Sequence, residues 1–227
     1  MLSFVNNKNG AIIKPIDLYC GIGIKILSSP ISEKDILSLY DDFPKGFVLE
    51  ELIKQSKELA ELHPESVNTI RAMSINYGDE IEVKWPFLRV GIGASIVDNV
   101  AAGGIICPID SATGITFDAS DEKGRVFKKH PDTGKSLIGF QIPQWEELVS
   151  MTKEMASHLP DCHILGWDLA LTDKGWCVVE CNYGPNIVYQ YGMRKGIRRE
   201  FEQVRKRLGA KKYGGYMFYT LNPSGPS

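Results

Sequence analysis

The stretch from His163 to Asn182 constrains the fold of this chain more than any other. His163 to Leu171 and Trp176 to Cys181 are short runs rich in β-branched and aromatic residues, and the turn formers Asp173-Lys174-Gly175 lie between them. Two such runs joined by such a turn read as an antiparallel hairpin. Centred on Lys174, the hairpin sets Asp168 directly across from Glu180, with Asn182 two residues further along the same face. Opposed like charges at Cβ separations of about 4.5–5.5 Å destabilise a sheet, so the pair needs a cation or a raised pKa. Two carboxylates and an amide oxygen suit Mg²⁺, a hard ion that takes a few oxygen ligands plus substrate phosphates. Ala170, Val178 and Val179 beside them are apolar, which argues that the carboxylates have a purpose. The other reading is a solvent edge at which Asp168 and Glu180 pair with lysines.

Around this hairpin the chain reads as mixed α and β. Ala11-Ile12-Ile13, Gly23 to Leu27 and Gly46 to Glu50 are strand-like. Ser32 followed by Asp35 opens a capped helix carrying Ile36, Leu37, Leu39 and Tyr40, and Gln55 to Leu62 forms a short helix ended by Pro64. From Val67 to about Phe127 strands dominate, with Ile81, Val83 and Trp85 alternating against Glu80, Glu82 and Lys84. Trp145, Leu148, Val149, Thr152, Met155, Ala156 and Leu159 step by three and four, as one face of a helix does. A last helix covers Met193 to Leu208, with Ile197, Phe201, Val204 and Leu208 as its apolar face. The segment Arg194 to Lys212 holds nine basic residues against two acidic ones. That asymmetry allows an anionic partner, but the coherent apolar face favours a solvated basic side on an ordinary amphipathic helix.

Two further groups of residues carry chemistry. Lys14-Pro15 is followed by Tyr19-Cys20-Gly21-Ile22-Gly23-Ile24. No GK[ST] follows, and strand rather than helix comes next, so this is neither a P-loop nor a dinucleotide fingerprint. Gly21 and Gly23 would form a flap whose bare N–H groups can approach phosphate, with Lys14 as a point charge on the preceding strand. A plain turn between strands reads the same way. The second group is Arg71 and Arg89, each among apolar neighbours. A guanidinium there is either a clamp for phosphoryl or carboxylate, or half of a structural salt bridge.

Several classes fall away. The chain has 227 residues, a formal charge of −2 and 43% hydrophobic residues, and no run of about 18 uncharged apolar residues that would span a membrane. The start MLSFVNNKNG lacks the layout of a signal peptide, so a cytoplasmic protein is expected. Five scattered cysteines without CxxC spacing suggest neither a disulfide framework nor zinc, and they are expected to be reduced and mostly buried.

Taken in order, these pieces resemble the ATP-grasp superfamily. The residues that carry the resemblance are AIIKP (Ala11 to Pro15), GIGI (Gly21 to Ile24), VLEELI (Val48 to Ile53), TIR (Thr69 to Arg71), LRVG (Leu88 to Gly91), VDNVAAGG (Val97 to Gly104), GWDLALTDKGWCVVECN (Gly166 to Asn182) and Gly184-Pro185-Asn186. TIR, VDN with AGG, and the Asp168, Glu180, Asn182 spacing look most like the sugar-transfer-associated branch. That group is tied to cell-surface polysaccharide synthesis and is sometimes labelled a hexapeptide transferase family.

The resemblance implies an α+β fold in which ATP lies between two lobes. It implies a small lobe over 1–49, a large lobe with the metal site over 50–212 and a tail over 213–227. The family's further N-terminal lobe is expected to be missing from these residues. Glu50 and Leu52 would offer backbone groups to adenine, with Glu51 beside it. Lys14 would hold the α- and β-phosphates under the Gly21 and Gly23 flap. Asp168, Glu180 and Asn182 match magnesium-ligand positions, and Arg71, Arg89 and Asn99 match positions facing the γ-phosphate and the acceptor. The implied reaction is Mg-ATP-dependent ligation of a carboxylate through an acylphosphate, on a small-molecule or sugar-linked acceptor. Nucleic acid is not an expected partner. A nucleotide-binding module without ligase turnover, and a kinase using the same ATP site, are the alternatives. The four histidines have no matching role and read as structural or exposed.

Overall fold

The computed structural model describes residues 1–8, 10–18, 21–185 and 189–209. Tyr19 and Cys20 of the flap, Asn186, the basic Lys211 and Lys212, and the tail lie outside the described residues. The chain divides into two compact units, Met1–Lys54 and Gln55–Ser227.

In the first unit, α1 (Leu2–Asn7) precedes a three-stranded antiparallel sheet of β1 (Ala11–Pro15), β2 (Lys25–Leu27) and β3 (Phe47–Glu50), in the order β2-β1-β3. Helix α2 (Glu33–Asp42) starts at the expected capping box: Ser32 accepts from the Asp35 N–H, and Asp35 accepts from the Ser32 N–H at 2.7 Å. Its Ile36 and Leu39, with Phe43, pack on Ile13 and bury one face of the sheet. The alternation of a strand puts Ile12, Lys14, Ile26, Val48 and Glu50 on the opposite face, where Ile26 and Val48 are exposed. Gly21 and Gly23 both adopt positive φ, 76° and 75°, which a side chain would resist.

The second unit is built on a five-stranded antiparallel sheet in the order β6-β5-β4-β7-β8. Its strands are β4 (Ile70–Asn76), β5 (Ile81–Val90), β6 (Ile105–Pro108), β7 (Ile164–Thr172) and β8 (Gly175–Tyr183). One face buries Ile70, Ala72, Leu88, Val90, Leu165, Trp167 and Leu169 against Leu148 and Ala156 of α4 (Trp145–Ser157). On the other face, Met73, Ile75, Trp85 and Phe87 are covered by Ile197 and by Phe201 and Val204 of α6 (Arg198–Arg207). The short helix α3 (Lys57–Ala60), capped by Ser56, is briefer than the expected Gln55–Leu62.

Three expectations need correction. The last helix is broken: α5 (Tyr189–Met193) ends before Arg194, whose φ of 51° interrupts the run, and α6 begins only at Arg198. The strand-rich reading to Phe127 fails after β6, because residues 109–142 form an irregular segment held by isolated bridges and Asx turns. There Asp110 Oδ1 accepts from the N–H groups of Ala112 and Thr113, and Asp121 Oδ1 from those of Lys123 and Arg125. Of the described cysteines only Cys107 is buried, and Cys181 is exposed. Two histidines are indeed structural. His63 Nε2 lies 2.9 Å from the Gly93 carbonyl and His130 Nε2 2.7 Å from that of Gly91, so both rings tie down the exit of β5.

Candidate functional site

The face of the large sheet beyond α6 is polar, and register explains how. Arg71 on β4 stands opposite Asp168 on β7, and Asp168 opposite Glu180 on β8, while Gly166 pairs with Asn182. Residues directly across a ladder share a face, so Arg71, Asp168, Glu180 and Asn182 form one row with Thr69 and Arg89 beside them.

The expected opposition of Asp168 and Glu180 holds, but the hairpin reaches it differently. The turn is the two residues Asp173-Lys174, since Thr172 pairs with Gly175. From there the ladder runs Leu171 to Trp176, Ala170 to Cys177 and Leu169 to Val178, a register that would set Asp168 against Val179. Val179 is instead left as an unpaired bulge, which restores Glu180 to the face of Asp168. A second bulge lies on the other flank: Arg71 pairs with Phe87 but Met73 with Lys84, so Trp85 and Pro86 together face Ala72. Trp85 takes a φ of 48° there. Edge strand β8 is also less apolar in its setting than its sequence suggests, with Val178 42% exposed.

Asp168 is buried, 2% exposed, and is held by arginines rather than lysines. Arg71 closes on it with Nε to Oδ1 and Nη2 to Oδ2, the latter at 2.7 Å. Arg89 Nη2 reaches Oδ2 at 2.9 Å. Burial pushes the Asp168 carboxyl up, but the Arg71 hydrogen bonds and the charges of both arginines outweigh it and hold the group below the usual carboxylate range.

Arg89 has further anchors. Its Nε and Nη2 donate to Thr69 Oγ1 at 3.0 and 2.6 Å, and Thr69 Oγ1 in turn donates to Asp98 Oδ2 at 2.5 Å. The Thr69 N–H also donates to Asp98 at 2.9 Å. Burial works against the Arg89 charge, and the carboxylates of Asp98 and Asp168 raise its pKa regardless. Burial likewise pushes Asp98 up, against the opposing pull of Arg89 and Thr69.

Glu180 is exposed on the edge strand, and its carboxylate makes no hydrogen bond or ion pair among the described residues. Asn182 Nδ2 is the buried side-chain polar atom without a hydrogen-bond partner among the described residues. No group of three His, Cys, Asp or Glu side chains converges among them, so a cation here would take its remaining ligands from elsewhere. Asp168, Glu180 and the Asn182 amide are hard donors in one row, which fits Mg²⁺ completed by phosphate oxygens.

In the first unit Lys14 Nζ lies 2.5 Å from Glu50 Oε2, so the candidate phosphate lysine and a candidate adenine-site residue are an ion pair. Glu51 pairs with Lys8 at 3.0 Å. Leu52 packs close to Gly10, where an added Cβ would meet Leu52 Cδ1 at 3.0 Å. Asn99 is occupied as the cap of a short 3₁₀ turn, Val100–Ala102, its Oδ1 accepting from the Ala101 N–H at 3.2 Å. Arg194, at the head of the basic segment, pairs with Asp118 at 2.6 Å.

Three residues of the site escaped the sequence reading. Thr69 and Asp98 lie inside the TIR and VDN strings, next to the residues that attracted attention. Gly166 is silent by type, yet an added Cβ would sit 2.5 Å from Pro185 Cβ and 3.4 Å from Arg71 Cδ.

The family model described as sugar-transfer associated ATP-grasp matches residues 2–206. Among solved structures, the chain is similar to D-alanyl-alanine synthetase A from Vibrio cholerae O1 biovar eltor str. N16961, with a TM-score of 0.50 and 9% sequence identity. That match covers 91% of this chain and 54% of the other, so the chain spans about half the length of the structure it resembles. No curated protein matches the chain.

Proposed function

Since the chain belongs to the sugar-transfer associated ATP-grasp family, we propose that it works as an Mg-ATP-dependent carboxylate ligase in cell-surface polysaccharide synthesis. The observation that carries this reading is the polar row on the large sheet: two partly buried arginines, a buried carboxylate and two further oxygen donors in register. Phosphoryl transfer asks a protein for position and charge neutralisation more than for a nucleophile, and this row offers both.

In this reading Lys14 and the Gly21 and Gly23 turn receive the α- and β-phosphates, while Glu50, Glu51 and Leu52 border the base. The exposed Ile26 and Val48, on the sheet face of Lys14, offer the base an apolar surface. Arg71 and Arg89 face the γ-phosphate with their guanidinium groups. Asp168, Glu180 and Asn182 would hold Mg²⁺, which when bound neutralises phosphate charge. The substrate carboxylate attacks the γ-phosphorus, the bond to the ADP oxygen breaks, and an amine or similar nucleophile then displaces phosphate from the acylphosphate. Thr69 and Asp98 keep Arg89 in place throughout. The setting is cytoplasmic. Among the described residues no helix is long and apolar enough to cross a membrane.

The test is ADP release from Mg-ATP on adding candidate carboxylic acids, with and without amines, for wild type and Glu180→Gln. Acid-dependent ADP release that the variant loses supports the ligase. A stable phosphorylated hydroxyl product would make it a kinase. Mg-ATP binding without turnover on any acid would make it a nucleotide-binding module.

A further inference from the structure

The polar row is self-occupied, and the way it is occupied has a consequence for the order of binding. A carboxylate offers about four acceptor positions. In Asp168 three of them are filled by guanidinium N–H groups, from Arg71 Nε, Arg71 Nη2 and Arg89 Nη2. The same carboxylate is the buried member of the proposed Mg²⁺ row. A divalent ion that approaches it alone therefore meets two cations already in place, and most of the oxygen lone pairs already in use.

The two arginines are not equivalent. Arg89 is held as well by Thr69 Oγ1 and by Asp98, so it keeps two anchors if Asp168 is withdrawn. Arg71 gives its hydrogen bonds to Asp168, and no other acceptor holds it among the described residues. Its guanidinium is free to change partners once another anion offers a fork-shaped site, and a phosphate is such an anion.

Resting on the proposed Mg²⁺ row, the geometry points to Arg71 as a latch on that row: its fork holds the Asp168 oxygens until phosphate draws it away, so the divalent ion binds weakly before the nucleotide and tightly with it. Arg71 is then a positioning residue that sets which ligand arrives first. Coupling of this kind is reciprocal, since whatever Arg71 withholds from the ion in the free chain is returned when phosphate binds.

The test is Mn²⁺ binding to the full chain without nucleotide, read from the paramagnetic resonance signal of the free ion. Wild type, Arg71→Met, Arg71→Lys and Glu180→Gln are compared, with circular dichroism to confirm that each is folded. Removing both N–H groups of the fork in Arg71→Met is expected to tighten Mn²⁺ by about tenfold, on the usual scale of hydrogen bonds to a charge. Arg71→Lys keeps the charge but loses the fork, and is expected to fall between Arg71→Met and wild type. Lysine behaving as wild type would show that charge alone sets the affinity, and would overturn the latch. No tightening in either Arg71 variant overturns it equally. Glu180→Gln separates this from the underlying reading: if it leaves Mn²⁺ binding unchanged, the metal row itself is misassigned, whatever the Arg71 variants do. The lysine variant also keeps the proposal testable should Arg71→Met not fold.

Discussion

Gly166 and Pro185 occupy each other's space. Gly166 lies on β7 across from Asn182, and Pro185 follows β8 and folds back, so that any side chain at 166 would collide with the proline ring. The missing side chain lets Pro185 pack against Gly166 beside Arg71.

Gly166→Ala is therefore expected to be costly in a buried site. The added methyl would lie 2.5 Å from Pro185 Cβ. Overpacking of this kind costs about 1–3 kcal/mol. Urea denaturation should show that loss. Mg-ATP binding should fall as well, because Pro185 and Arg71 must shift together.

Asp168→Asn tests the electrostatics. Stability from Asp168 is present above its unfolded pKa of about 3.9. It is lost as pH falls through the lower folded value, since the arginines depress that pKa against the effect of burial. Wild type should lose stability on acidification below about pH 4 more steeply than the variant. At neutral pH the variant leaves two guanidinium groups, only 12% and 13% exposed, without their shared carboxylate, a loss on the order of 3–5 kcal/mol. Denaturant titrations across pH check both parts.

Tyr77 supplies an alkaline test away from the site. Burial and the neighbouring charge of Glu82 push its hydroxyl up to about 12, with Arg207 opposing from 3.8 Å above the ring. The folded chain keeps this proton where the unfolded chain has released it, so stability falls as pH rises from about 10 toward 12. Tyr77→Phe should flatten the decline in that window, as read from thermal unfolding at pH 9 and above.

Lys14→Met is expected to weaken Mg-ATP by about tenfold, the scale of one charge-assisted phosphate contact. Glu50→Gln should tighten it, because Lys14 then loses the partner that now holds it at 2.5 Å. Calorimetry on both variants checks this. Equal affinities in all three proteins would remove Lys14 from the nucleotide site.

The elements legible in the sequence were those whose cause is local. The capping box at Ser32 and Asp35, the 3.6-residue step of α4 and the turn at Asp173-Lys174 each depend on residues within a few positions. Arg71 stands out by type among apolar neighbours, as a clamp or half of a structural salt bridge, but its partner Asp168 is 97 positions away, and local spacing offers Asp168 only a metal or a lysine. Asp98 does not stand out beside Asn99, since nothing in VDN says which of two polar residues turns inward; burial selects Asp98 and leaves Asn99 to cap a turn. Residues 109–142 carry no period because Asx turns and isolated bridges hold them. The helix break at Arg194 was hidden because the apolar step from Ile197 to Leu208 describes α6 well and is silent about where it starts.

The bulge at Val179 makes the spacing of the two acids a matter of parity. Below it the paired positions on β7 and β8 are separated by odd steps, as a two-residue turn dictates, whereas Asp168 and Glu180 are separated by an even one. One surplus residue converts the count. The tip of the hairpin and its chemical end are thus numbered independently: residues can be added to the tip in pairs, or the bulge exchanged for a turn one residue longer, with the carboxylates still face to face. A search for such sites by fixed interval between acids would find this arrangement and miss its equivalents, because the interval records how the strand was counted rather than where the oxygens lie.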